Sequence, residues 1–107
     1  MLTSKQRAFL IGIASNLDPV VQIGKAGVSP ETVESCEEAF NTRELVKINV
    51  LKSSPEEPSE AAEKLAARTR SENVRVIGRK VILYKPFHDK PEIQLPKASK
   101  PARRADI

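Results

Sequence analysis

The sequence predicts an α/β fold: a mixed four-stranded sheet in two layers with its helices, in the order helix, strand, helix, strand, helix, strand, strand. Three observations predict it. Apolar residues switch repeatedly between the helical spacing of three to four and the strand spacing of two. Prolines, glycines and capping residues punctuate most of those switches. The chain has 107 residues, of which 39% are hydrophobic, so it can build one modest core but not a large catalytic pocket.

The first helix opens on Thr3-Ser4-Lys5-Gln6, a capping box in which the Thr3 hydroxyl serves the first turn and Gln6 reaches back. Phe9, Leu10, Ile13, Ala14 and Leu17 then form an apolar stripe that stops at Asn16 to Pro19. Val20 to Ile23 is a short β-branched strand. After Gly24-Lys25-Ala26-Gly27, Ser29 and Pro30 start the second helix, with Val33, Cys36, Ala39 and Phe40 on its buried side and Glu31, Glu34, Glu37 and Glu38 on the other.

Leu45 to Leu51 alternates, with Val46, Ile48 and Val50 on one face and Lys47 and Asn49 on the other. The connector Ser53 to Pro58 leads to a third helix capped by Ser59, in which Ala62, Leu65, Ala66 and Thr69 share a face. Val74 to Ile77 and Val81 to Tyr84 are two strands of a hairpin turning at Gly78-Arg79. Two consecutive strand-helix-strand units imply parallel pairing with right-handed crossovers, both helices on one sheet face. The last strand must run antiparallel. Residues 1–96 are expected to form the domain, with Ile93 and Leu95 available to pack or to add an edge strand. The basic stretch 97–107 is expected to be a disordered tail.

Several chemistries are excluded. One cysteine and one histidine make neither an intramolecular disulfide nor a zinc knuckle. Cys36 lies on the apolar stripe of its helix without a positioned base, which favours packing over nucleophilic work. His88 sits in a proline-punctuated segment with no triad or metal partners. No paired carboxylates or metal cluster occur at recognisable spacing, so the protein is read as a non-enzyme that needs no cofactor. The start lacks the apolar stretch of a signal peptide, and no segment approaches the ~20 apolar residues of a membrane span. The expectation is a cytoplasmic monomer without membrane contact.

A net charge of +4 favours polyanionic partners, and its distribution sharpens the point. Residues 74–85 hold Arg75, Arg79, Lys80 and Lys85 with no acid, and residues 1–30 hold Lys5, Arg7 and Lys25 against Asp18 alone. Residues 31–44 are acidic. These charges fit a phosphate-facing side; they also fit ordinary solvated faces. The glycine loop lies between a strand and a helix N-terminus, where two glycines permit close backbone approach and free N–H groups attract an anion. Its spacing matches neither the Walker loop nor the dinucleotide fingerprint. Alone it equally describes a tight strand-to-helix turn.

The residues Leu2 to Arg7, Pro19 to Val28, Arg43 to Ile48, Val76 to Arg79 and Val81 to Lys85, in that order, resemble the YhbY-type bacterial proteins, which consist of a single CRM domain (chloroplast RNA splicing and ribosome maturation). The resemblance spans roughly residues 2–96. It implies a sheet similar to the C-terminal domain of translation initiation factor three. It also implies RNA binding during assembly of the large ribosomal subunit; plant relatives act in group II intron splicing. On this resemblance Gly24, Lys25, Ala26 and Gly27 correspond to an RNA-contacting GxxG loop. Two departures stand out: a longer, more basic tail beyond Pro96, and a proline-rich connector from Ser53 to Ser59.

The expected partner is therefore structured RNA, ribosomal RNA or a precursor particle of the large subunit. The expected contacts are Gly24, Lys25, Ala26 and Gly27 at close range, with Lys5, Arg7, Lys47, Arg79, Lys80 and Lys85 supplying the longer-range field. Tyr84 is a candidate for stacking on a base or for covering the core edge. Only 4% of the residues are aromatic, which predicts recognition by RNA shape more than by base stacking. The alternative is a protein-interaction module whose acidic helix 30–42 docks a basic ribosomal protein.

Overall fold

The computed structural model describes residues 2–96, so the tail 97–107 lies outside the described residues. Its elements are α1 (Ser4–Ala14), β1 (Val21–Ile23), α2 (Pro30–Phe40), β2 (Leu45–Val50), α3 (Pro58–Thr69), β3 (Glu72–Ile77) and β4 (Lys80–Tyr84). The expected order of elements is present.

Local chemistry sets most helix starts. Thr3 Oγ1 accepts the Gln6 N–H at 3.1 Å and Gln6 Oε1 accepts the Thr3 N–H at 3.0 Å, closing the capping box. Ser29 Oγ accepts the Thr32 N–H at the start of α2. The third helix departs from the Ser59 expectation: it begins at Pro58, with Glu57 as N-cap. Proline suits the first helical position because its φ is preset and no N–H is lost there. Glu60 then reaches back to accept the Glu57 N–H at 3.3 Å.

The sheet order is β1-β2-β4-β3. β1 and β2 are parallel, as the first crossover requires. β4 runs antiparallel to both β2 and β3 and lies between them. The second crossover therefore joins strands of like direction that do not pair, which corrects the expectation of direct pairing. The tight turn at Gly78-Arg79 fixes β4 beside β3, and β4 brings Val81 and Leu83 into line with Ile48 and Val46.

Alternation along the strands divides the core in two. Val21, Ile23, Val46, Ile48, Val50, Val81 and Leu83 face α2 and α3, which bring Cys36, Phe40, Ala61, Ala62 and Leu65. Those two helices form the expected layer. On the other face Leu45, Val74, Ile82 and Tyr84 pack under Leu10 and Ala14 of α1, which adds a partial third layer. The cause is β4, whose continuous apolar run is buried on both sides, as suits an inner strand. An 11-residue helix is marginal by itself, so α1 depends on this packing. Phe9, expected on the buried stripe, is 41% exposed, because the stripe centres on Leu10 and Ala14.

Beyond β4 the chain is tied back by one buried carboxylate. Glu44 accepts the N–H groups of Phe87 at 2.6 Å, Glu92 at 2.8 Å and Ile93 at 2.6 Å. Ile93 and Leu95 pack against the α1 core without forming a strand.

Candidate nucleic-acid interface

The glycine loop is a β-turn, with the Gly27 N–H donating to Gly24 O at 2.9 Å. Of the two loop glycines only Gly27 takes positive φ, at +68°. A Cβ on Gly24 would make ordinary contact with Leu51, at 3.7 Å. A Cβ on Gly27 would collide with the Glu56 carboxylate and lie 3.0 Å from Pro55 Cγ.

The start of α2 is less open to an anion than its sequence implies. Glu56 Oε1 accepts the Val28 N–H at 3.1 Å, Ser29 donates its N–H to Gly27 O, and Ser29 Oγ serves Thr32. A carboxylate of the chain itself thus fills part of the anion position. Lys64 Nζ holds that carboxylate at 3.1 Å, and this hydrogen bond keeps the Glu56 carboxyl below its ordinary range. Lys25 and Ala26 remain exposed at the tip, and among the described residues no acceptor meets their N–H groups or that of Glu31. The groups left for a phosphate are those of the loop tip and, at the helix start, the N–H of Glu31 alone.

The expected cations divide between two ends of the sheet. Leu51 joins the loop to the hairpin: its N–H donates to Ile23 O at 2.8 Å, and its carbonyl accepts from Arg79 Nη2 at 2.9 Å. Arg79 and neighbouring Lys80 thereby share an end with Lys25. Lys85 lies five residues along β4, about 17 Å away at ~3.3 Å per residue. Arg7, bound to the carbonyls of Asn73 and Val74, belongs to that far end, as does exposed Lys5 two residues earlier. The ten residues do not form one contiguous patch.

Several of these cations also hold the fold. Lys47 Nζ donates to Ala14 O and Leu17 O, each at 3.1 Å, and so satisfies the end of α1. Lys85 Nζ does the same for Thr69 O at the end of α3, at 3.0 Å, and lies 6.0 Å from the Phe40 ring centroid. Arg79 Nε donates to Val50 O at 2.7 Å. Their partners are neutral carbonyls, so each charge still contributes to the field. Among the described residues the one ion pair is Lys64–Glu56.

The acidic surface is that of α2, where Glu31, Glu34, Glu37 and Glu38 are exposed. On α3 the exposed Glu60 and Glu63 are balanced by exposed Lys64 and Arg68, and on the α1 side of the sheet lie Lys5, Arg7, Lys47, Arg75 and Lys80. Lys52 was not singled out from the sequence, yet it is exposed beside Leu51 at the loop end. The signal existed: a lysine two residues after β2 must emerge next to the loop that follows its parallel neighbour β1.

Other candidates resolve simply. The Cys36 thiol is buried and pushed up to about 11, by desolvation first and by Glu37 second, which disfavours the thiolate that attack requires. Tyr84 is 4% exposed and belongs to the core, its hydroxyl shifted upward by burial and then by Glu44. Among the described residues no cluster of His, Cys, Asp or Glu could hold a metal, and no helix is long and apolar enough to cross a membrane.

The chain resembles known proteins over most of its length. It is 40% identical to the Bacillus subtilis protein named "Probable RNA-binding protein YqeI" over 96 residues, covering 90% of this chain and all of that one. A Haemophilus influenzae protein named "RNA-binding protein" is 33% identical, covering 90% of this chain and 96% of its own. The solution structure of SAV1595 from Staphylococcus aureus superposes with a TM-score of 0.77 at 40% identity, over 90% of this chain and all of that one. The family model of the CRS1/YhbY (CRM) domain matches residues 2–85, and the protein belongs to that family.

Proposed function

We propose that this protein is a non-enzymatic RNA-binding protein of the cytoplasm. Its target on this reading is structured ribosomal RNA in a precursor of the large ribosomal subunit. The names of its relatives support the RNA partner. The observation that carries the site is the loop tip, where exposed Lys25 and Ala26 present N–H groups without internal acceptors. Lys52, Arg79 and Lys80 stand at the same end. The backbone N–H groups take phosphate oxygens at short range, and the lysines and arginine draw the RNA in. Acidic α2 repels phosphate and orients the protein with its other side toward RNA. Lys5, Arg7 and Lys85 act only on an RNA long enough to reach the far end, and Lys47 contributes charge from a fixed position.

Replacing Lys25 and Ala26 together by glutamate tests the site. Neither side chain supports the core, so the unfolding midpoint stays within a few degrees. Affinity for a structured ribosomal RNA fragment falls at least about tenfold, and wild-type affinity declines with salt at a log–log slope of about −3, the value for single-stranded-like contacts to about four phosphates. Unchanged affinity in the double variant removes the loop from the interface. A flat salt dependence favours the other reading, in which the exposed glutamates of α2 dock a basic ribosomal protein.

A further inference from the structure

We propose that the part of the sheet face left open by α1 seats one unpaired nucleotide of RNA, an inference that rests on the RNA-binding reading above. Pairing places Gln22, Asn49, Lys80 and Ile77 in one straight row across all four strands. Alternation puts this row on the face opposite the α2/α3 core. The next row on that face runs Lys47, Ile82 and Arg75. α1 packs over the far half, on Leu45, Val74 and Tyr84. Its last turn stands at the edge of the open half and leaves a hollow of about 250 Å³ lined by Ile11, Ser15, Lys47, Ile77, Lys80 and Ile82.

Three properties select the occupant. The floor is apolar: Ile77 is 48% exposed in an otherwise polar row, and with half-buried Ile11 it offers a surface for the face of a flat ring, above the buried Ile82. The rim is cationic: Lys47 and Lys80 line the hollow, Arg75 is exposed one strand away, and no carboxylate lines it. The acids on this side stand off, Glu72 opposite Tyr84 in the following row and Asp18 beyond the Leu17 carbonyl that Lys47 holds. The row also carries two directly paired amides, Gln22 and Asn49, which supply donors and acceptors together. An anion bearing a flat ring with a polar edge is a nucleotide. In a duplex the base faces are stacked and out of reach, so an unpaired nucleotide is the form that fits. Isoleucines and lysine stems replace the aromatic platform that this sequence lacks.

The test compares three RNAs: a short single-stranded oligouridylate, a blunt duplex, and a hairpin with an unpaired loop. Ile77→Glu and Asn49→Leu are compared with Lys25→Glu, and unchanged thermal midpoints establish that each variant is folded. Ile77→Glu is expected to weaken the oligouridylate and the hairpin about tenfold and the duplex hardly at all. Lys25→Glu weakens all three. In the wild-type protein, nuclear magnetic resonance signals of the Gln22 and Asn49 side-chain amides shift on adding the oligouridylate and stay in place on adding the duplex. If Ile77→Glu and Asn49→Leu bind all three like wild type while Lys25→Glu does not, the sheet site is wrong and the loop reading stands. If the sheet variants alone lose binding, the sheet site stands and the loop reading fails. If the wild-type protein binds none of the RNAs, both fall.

Discussion

Gly27 and Gly78 lie in two turns at the same end of the sheet and share a backbone feature, φ of +68° and +59°. Their surroundings differ. A Cβ on Gly78 meets nothing within 4 Å, whereas one on Gly27 runs into the Glu56 carboxylate and the Pro55 ring. Gly78 is needed for backbone freedom alone. Gly27 is needed for freedom and for room, because the β2–α3 connector closes over it. The lesson is that the second glycine of the loop is first a packing requirement, and an RNA contact is built on top of it.

The contrast can be broken by alanine. Gly78→Ala should cost about 1–2 kcal/mol, the left-handed penalty for a residue with a Cβ. Gly27→Ala adds displacement of the charged hydrogen bond that the Val28 N–H donates to Glu56 and should cost about 3–4 kcal/mol in total. Urea unfolding at equal m-values measures both. Equal losses at the two positions would show that the connector yields freely and that Gly27 is an ordinary turn glycine.

A third residue shares the conformation without being a glycine. Arg70 ends α3 at φ +57°, its N–H donating to Ala66 O. Arg70→Gly should stabilise the protein by about 0.5–1 kcal/mol, since relief of the left-handed strain outweighs the added freedom of the unfolded chain. Destabilisation instead would mean that the arginine stem packs on the helix end strongly enough to offset its strain.

What the sequence made legible follows the range of the interaction. The capping box of Thr3 and Gln6 and the Ser29-Pro30 start of α2 are contacts within one turn, and both are present. The burial of β4 on two faces left no alternation to read, so the docking of α1 on the opposite face was invisible. Charges could be counted, but not the carbonyls that Arg7, Lys47, Arg79 and Lys85 reach, because those partners lie 16 to 67 residues away. Glu56 is the sharpest case. It reads as a solvent-facing acid in a proline-rich connector, yet it crosses 28 residues to the N–H of Val28.

Glu56 also gives the smallest and most local test of the loop. The hydrogen bond from Lys64 is the first cause of its lowered pKa, with the Val28 N–H adding to it, so the folded state prefers the ionised form. The stability it contributes is therefore present above the ordinary value of 4.5 and is lost as pH falls through the lowered folded value. Glu56→Gln keeps an oxygen for Val28 and removes the charge. The variant should be slightly less stable than wild type at neutral pH, and the gap should close on the acid side. The same change takes a negative charge from beside Lys25, so RNA affinity should rise by about twofold at low salt, a gain that salt erases. A gap that persists unchanged into acid would mean that the amide fails to replace the Val28 contact. Unaltered affinity at low salt would mean that the RNA phosphates lie more than a screening length from this corner, and the loop tip would lose its place in the interface.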